Sequence, residues 1–258
     1  MFAELLRHEL RERRWSALIL GLIVAGMGVF IFALTAGLSK AIADLTHSFP
    51  QALTAFIGGG SAGGYAVGEL FNLIAPAALV GYAVAVGAST IAREEEKGTM
   101  SMLSAQPITR TSIVTSKALA LLASLVGATA LLWAGVAISS SVYDIGLDLG
   151  GLTAICVHLL FLAIAFGAIG FAAGGLTGNP GLASGIAGAL AVAAYAANAM
   201  LPLAKLGDWA KLSPWYYFAG SNPLTNGIDG WHLLVLAAIA AIAVALVYLG
   251  FTRRDLKG

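Results

Sequence analysis

The chain has 258 residues, of which 59% are hydrophobic and 10% charged, against roughly 25% charged in an average soluble domain. That balance argues against an ordinary water-soluble fold, and the single cysteine, Cys156, excludes an internal disulfide framework. The formal net charge of +1 hides a strong asymmetry along the chain.

Charges gather between six apolar runs, at residues 16–36, 71–91, 118–140, 152–176, 182–203 and 233–251. At 1.5 Å per residue, about 20 residues cover the roughly 30 Å hydrocarbon layer, so each run can cross a bilayer as one helix. The expected fold is an all-α integral membrane protein of one transmembrane domain spanning residues 1–258.

Residues 1–15 read as an amphipathic helix, with Phe2, Leu6 and Leu10 on one face and Arg7, Arg11 and Arg14 on a cationic side. Such a helix would lie along the lipid surface with Trp15 at the interface; a positive flank that only fixes topology is the alternative. The first run favours insertion by on the order of 3 to 6 kcal/mol. It exceeds the apolar core of a signal peptide, and Glu4, Glu9 and Glu12 precede it, so it reads as an uncleaved span.

Six spans put both termini on one side. That side collects Arg7, Arg11, Arg13, Arg14, Arg93, Lys97, Arg110, Lys117, Arg253, Arg254 and Lys257; the other has only Lys40, Lys205 and Lys211. The positive-inside rule places the first side, and both ends of the chain, in the cytoplasm. Residues 37–70, 141–151 and 204–232 are then external. The first of these contains Gly59-Gly60-Ser61-Ala62-Gly63, a G-x-S-x-G match. A nucleophile elbow needs a strand, a helix and a sheet around it, which a glycine-rich loop between spans does not offer.

The cytoplasmic segment 92–117 reads as an acidic helix end at Arg93-Glu94-Glu95-Glu96, a stop at Gly98, and a short helix over residues 99–106 that Thr99 or Ser101 can cap. A break at Pro107 and a basic return through Arg110 and Lys117 follow. By itself this is a solvated loop with topogenic charges.

Further along, Gly170-x-x-x-Gly174 and Gly181-x-x-x-Gly185 carry small residues at the spacing that lets helix backbones approach, within one chain or between two. Asn179-Pro180-Gly181 fits a tight turn, Pro180 being unable to continue a helix and Gly181 accepting positive φ. The external segment 204–232 holds Trp209, Trp215, Tyr216, Tyr217 and Phe218. Aromatics at that density settle at headgroup level, in a short interfacial helix; a substrate-stacking role would want a basic groove beside them, and none is legible.

Ionisable residues within a bilayer usually mark ion pathways. The runs contain one, His158, roughly 9 Å from the external end of its span by helix rise, where an interhelical hydrogen bond is the expected role. His8, His47, His158 and His232 fall in four segments, so no metal site is expected, nor any cofactor bound by this chain. Neutral Asn72, Tyr195 and Asn198 are the candidates for lining a pathway. With no phosphate-binding loop, energy for work on a solute must arrive from another polypeptide.

The 92–117 segment resembles the cytoplasmic loop of permease subunits of the type-2 ABC transporter family, E-x-E-x-G-T-[LM]-x-x-L-x-x-x-P-x-[ST]-R with a lysine at the next span. Glu94, Glu96, Gly98, Thr99, Met100, Leu103, Pro107, Thr109, Arg110 and Lys117 match it. The likeness extends to the basic N-terminal helix, the six-span layout, Phe49-Pro50-Gln51-Ala52-Leu53, Gly64-Tyr65 and Leu212-Ser213-Pro214-Trp215-Tyr216. It implies an exporter permease fold in a prokaryotic cytoplasmic membrane, pairing with a second permease, identical or paralogous. Two cytoplasmic ATPase subunits would hold the ATP and Mg and receive the coupling helix at 99–106. Arg93, Glu94, Glu95, Glu96, Gly98, Thr99, Met100, Leu103, Pro107, Arg110 and Lys117 are the coupling residues it implies, with the acidic run meeting basic groups of the ATPase or the N-terminal helix. Nucleic acid is not among the expected partners. The cargo is not legible, although uncharged spans suit a hydrophobic or lipid-like solute. A gradient-driven carrier or channel is the alternative, and a membrane-bound hydrolase, resting on Ser61 or on Ser184 with His158, a third.

Overall fold

The computed structural model describes residues 2–37, 67–98 and 109–253, with no strand among them. Among these described residues six helices are long and apolar enough to cross a membrane. These are α1 (Phe2–Gly37), a helix over Val67–Glu96 whose main part is α2 (Ala75–Glu96), α3 (Arg110–Val142), α4 (Leu149–Thr177), α5 (Pro180–Met200) and, last in the chain, α9 (Gly230–Arg253). Three short helices, α6 (Gly207–Ala210), α7 (Pro214–Ala219) and α8 (Pro223–Asn226), cap the end of the bundle between α5 and α9. The protein is therefore an all-α, multi-pass membrane protein.

Two local features differ from the sequence expectations at the helix ends. No separate surface helix precedes the first span: α1 runs unbroken for 36 residues. It contains no proline, and its first glycine is Gly21, so nothing interrupts the ladder at Trp15. Its length of about 54 Å overshoots the hydrocarbon layer. At the α4–α5 turn the left-handed residue is Gly178 (φ 62°), while the Asn179 side chain caps α5 by accepting from Leu182 N and Pro180 opens the helix. Gly181 is thus helical, because Pro at the first helical position already has the φ a helix needs.

The second span begins through a π-helical turn, Leu70–Ile74, in which Ala75 N–H donates to Leu70 O. Pro76 cannot donate to the carbonyl four residues back, at Asn72, so the α-ladder cannot run through this point and the preceding turn widens. Asn72 and Leu73 are exposed on it.

The most enclosed span is α4, and the least are α5 and α9. Within lipid, helix association rests on close packing more than on the hydrophobic effect, and the α2–α4 crossing shows how that is achieved. A Cβ at Gly87 would overlap Gly167 O, one at Gly174 would overlap Ala88 O, and one at Gly170 would lie 2.9 Å from Val84 O. Gly87 and Gly167, which do not form a short-range small-residue motif in the sequence, join Gly170 and Gly174 in bringing the two backbones together. The α1–α3 pair uses the same device, with Gly135 against Ala25 and Gly21 against Leu131. Gly181 and Gly185 behave differently: both are exposed, and a Cβ on Gly185 meets nothing within 4 Å among the described residues.

The capping segment also departs from an interfacial belt. Trp209 and Trp231 are exposed, but Trp215 and Phe218 are buried in the main core. Trp215 lies edge-on to Tyr195 with centroids 5.0 Å apart, and its Nε1 donates to Ala191 O on α5 at 3.2 Å. Ser213 Oγ donates to Ala194 O at 2.7 Å, so α7 is bolted to α5 by polar contacts that headgroup aromatics would instead direct to water.

Replacing Gly87 or Gly174 by Val should force the α2–α4 crossing apart and destabilise the protein by about 1 to 3 kcal/mol, seen as a lower Tm in detergent. Gly26→Ala, at a position with nothing within 4 Å, should leave Tm unchanged or raise it. Equal losses at all three positions would contradict the packing account.

Candidate functional site

The polar chemistry of the bundle is concentrated where α1, α2 and α3 meet. The α2 helix ends at Glu96, with Lys97 as its cap and Gly98 in the left-handed region at φ 68°. Chain direction is regained at α3, where Thr109 Oγ1 accepts from Ser112 N at 3.2 Å. Of the sequence-derived coupling residues, Thr99, Met100, Leu103 and Pro107 lie between these two anchors and outside the described residues.

Behind the anchors sits a buried ion group. Lys117, 1% exposed, donates to Glu9 Oε1 on α1 and to Glu94 Oε1 on α2, both at 2.6 Å. Glu9 Oε2 accepts from Arg13 at 3.0 Å, and Arg13 donates its other terminal N–H to Thr90 on α2 at 3.1 Å. Charges taken out of water are costly unless paired and hydrogen-bonded; here three helices share one lysine and two glutamates, so none can leave without breaking an ion pair. Ser16 and Tyr82 add an α1–α2 contact at 3.1 Å.

This arrangement corrects the sequence reading in two respects. Lys117 is an internal hub rather than a surface residue that a partner can touch, and Glu94, expected to meet bases of the ATPase or of the N-terminal helix, pairs with Lys117 on α3. Glu95 is buried as well. Arg93, Glu96 and Lys97 are exposed and Arg110 half-buried, and they flank the loop. Glu9 was not singled out in the sequence. Its signal there was an acid among arginines on an otherwise apolar face, beside Leu5 and Leu6. A polar cleft of about 770 Å³ opens beside the ion group, lined among others by His8, Glu12, Ser89 and Arg93.

Two apolar spaces flank α5. One, of about 400 Å³, lies between the second span and α5, lined by Leu73, Val80, Ser184, Val192, Tyr195 and Trp215 among others. The second, of about 590 Å³, lies toward the cap against Phe166, Leu190, Trp209 and Pro214. Of the pathway candidates, Tyr195 lines the first space, Asn72 sits on the π-helical turn that borders it, and Asn198 is half-buried near the end of α5.

At the capped end, His158 on α4 is fully buried, with Nδ1–H donating to Tyr217 O at 3.1 Å and Nε2 accepting from Asp229 N at 3.2 Å. Both nitrogens are committed to backbone, which leaves none to activate Ser184. Ser61 lies outside the described residues. Two of the four histidines, although from different segments of the sequence, come together: the His158 and His232 ring centroids are 6.3 Å apart.

A protein-family model described as "ABC-2 family transporter protein" matches residues 3–256. No curated protein matches the chain.

Lys117→Met should cost about 3 to 5 kcal/mol, because buried Glu9 and half-buried Glu94 lose the cation they share. Glu9→Gln should recover part of that loss in the double variant, giving a coupling energy above about 1 kcal/mol in a double-mutant cycle read by unfolding in detergent. Additive effects would contradict the shared ion group.

Proposed function

The chain belongs to the ABC-2 family of transporter proteins and is the membrane-spanning permease subunit of an ABC transporter, and from that premise we propose that it exports a hydrophobic or lipid-like solute with energy drawn from a separate cytoplasmic ATPase. The observation that carries this reading is the setting of the loop at residues 99–108. The helices that flank it in the chain, α2 and α3, are joined to each other and to α1 by the buried Lys117 group. A push delivered to that loop reaches three helices at once.

On this reading both termini are cytoplasmic, as the eleven-to-three distribution of Lys and Arg requires, in the inner membrane of a prokaryote. Two permeases, identical or paralogous, each meet one ATPase, and ATP and Mg reside on those subunits. Thr99, Met100 and Leu103 enter the ATPase, with exposed Arg93, Glu96 and Lys97 at the rim of the contact. The space beside α5 has an almost wholly apolar lining, which suits a solute that dissolves in lipid and would leave an ion uncompensated.

A gradient-driven carrier is the second reading, and the buried Glu9–Lys117–Glu94 group is the observation in its favour, since such groups can trade protons. Transport that follows an ion gradient with no ATPase present would select it.

Leu103→Trp and Glu96→Lys should leave insertion unchanged while lowering stimulation of the partner ATPase at least about ten-fold, the equivalent of 1.4 kcal/mol of lost docking. Both are measured in reconstituted vesicles. Wild-type stimulation in both variants would refute the assignment of the loop.

A further inference from the structure

The end of the bundle opposite the ion group is closed by the segment carrying α6, α7 and α8; that segment packs on the central helix α4, with Leu224 O against Gly151, and is hydrogen-bonded to it through one imidazole. His158 Nδ1–H donates to Tyr217 O on α7, while His158 Nε2 accepts the N–H of Asp229 in the loop before α9. Only a neutral ring protonated on Nδ1 satisfies both partners, because an imidazolium has two donors and no acceptor. Adding a proton at Nε2 would set one N–H against another inside the protein.

The groups facing the ring come from two elements and one loop. Asp229 supplies a carboxylate, α9 supplies His232, and α7 supplies Tyr217, whose ring packs on His232 at 5.2 Å. Among the described residues the charges acting on His158 are those of Asp229 and His232, and α2, α3, α5 and α8 contribute none. The Asp229 carboxyl accepts from the N–H groups of Trp231 and His232, which hold it below the usual carboxylate range. It therefore remains ionised through the interval in which histidines titrate and stands ready to receive an imidazolium that has let go of the backbone. His232 Nδ1 is buried with no hydrogen-bond partner among the described residues, so it adds no polar tie between the cap and α4; toward α5 the cap is held by Ser213 and Trp215.

Release would have a consequence deeper in the protein. The Trp215 side chain, two residues before Tyr217, is seated against Phe166, Tyr195 and Phe218 and forms part of the wall of the apolar space beside α5. The bond to Tyr217 O fixes α7 from the α4 side, as the Trp215 Nε1 bond to Ala191 O fixes it from the α5 side, and that side chain stays seated while both hold.

We infer that His158 is a proton-controlled latch on the cap: neutral, it pins α7 and the Asp229 loop to α4 and keeps Trp215 seated; protonated, it frees both and opens the space beside α5 toward the capped side. The latch is complete above the histidine range, roughly pH 5 to 8, and is lost as pH falls through it. Exporter function enters only in assigning the cap to the exit side, and the test below uses neither ATP nor a partner, so failure of the latch and failure of the exporter reading are separate results.

The test is hydrogen–deuterium exchange over residues 207–232 in the full chain in lipid nanodiscs, with labelling times scaled to the intrinsic pH dependence of exchange. Wild-type protection should fall about ten-fold between pH 8 and pH 5, the equivalent of losing one buried hydrogen bond and gaining one unpaired donor, while the ion-group end of α1 stays protected. His158→Gln, whose amide oxygen still accepts from Asp229 N and does not titrate, should show no pH-dependent step. His232→Gln should retain it. A flat wild-type profile would overturn the inference, as would loss of the step in His232→Gln, which would move the sensor to α9. These two arms decide the matter even if His158→Gln does not fold.

Discussion

A hydrocarbon layer supplies no solvent for a charge or an unpaired backbone group, and that constraint organises everything else in this protein. Through the middle of the bundle, cohesion comes from backbone approach at glycines, as where Gly87 and Gly174 meet α4 and α2 carbonyls. Polar cohesion is displaced to the two ends. At one end a lysine is shared between two glutamates from different helices; at the other a histidine is shared between two backbone groups. Each is strong for the same reason: with no water to compensate, removal of one partner leaves the other stranded.

The two ends therefore differ in what they can respond to. The lysine group joins α1, α2 and α3 behind the 99–108 loop, and on the proposed reading it converts a local push by an ATPase into displacement of three helices as one body. The histidine end joins the cap to α4 and holds Trp215 in the wall of the apolar space between the second span and α5. Of the helices around that space, α5 is the least enclosed; its Gly181 and Gly185 are exposed, and among the described residues a Cβ on Gly185 would meet nothing within 4 Å.

Much of the architecture was legible in the sequence because the bilayer imposes it. All six runs lie largely within long helices, and the Gly98 stop and Thr109 cap bracket residues 99–108 because left-handed φ and an N-cap oxygen have narrow residue preferences. What escaped was set by tertiary contact. Lys117 looked like a topogenic charge because sequence spacing cannot show that Glu9, over a hundred positions earlier, lies on the same side of a neighbouring helix. Trp215 and Phe218 looked interfacial because aromatic density alone does not distinguish a headgroup belt from a plug. The crossing at Gly87 and Gly167 was hidden because each glycine's partner is on another helix, whereas the pattern searched for was a repeat along one.

The central claim is that α1 and α3 move together while α5 moves separately, and a distance measurement addresses it most directly. Spin labels would be placed at Arg11→Cys and Thr111→Cys in one protein, and at Thr111→Cys and Gly181→Cys in another, both in a Cys156→Ala background. With the partner ATPase cycled between nucleotide-free and ATP-bound states, the first distance should stay constant and the second should change. A change of similar size in the first distance would show that the shared lysine does not hold the helices as one body, and the account would fail.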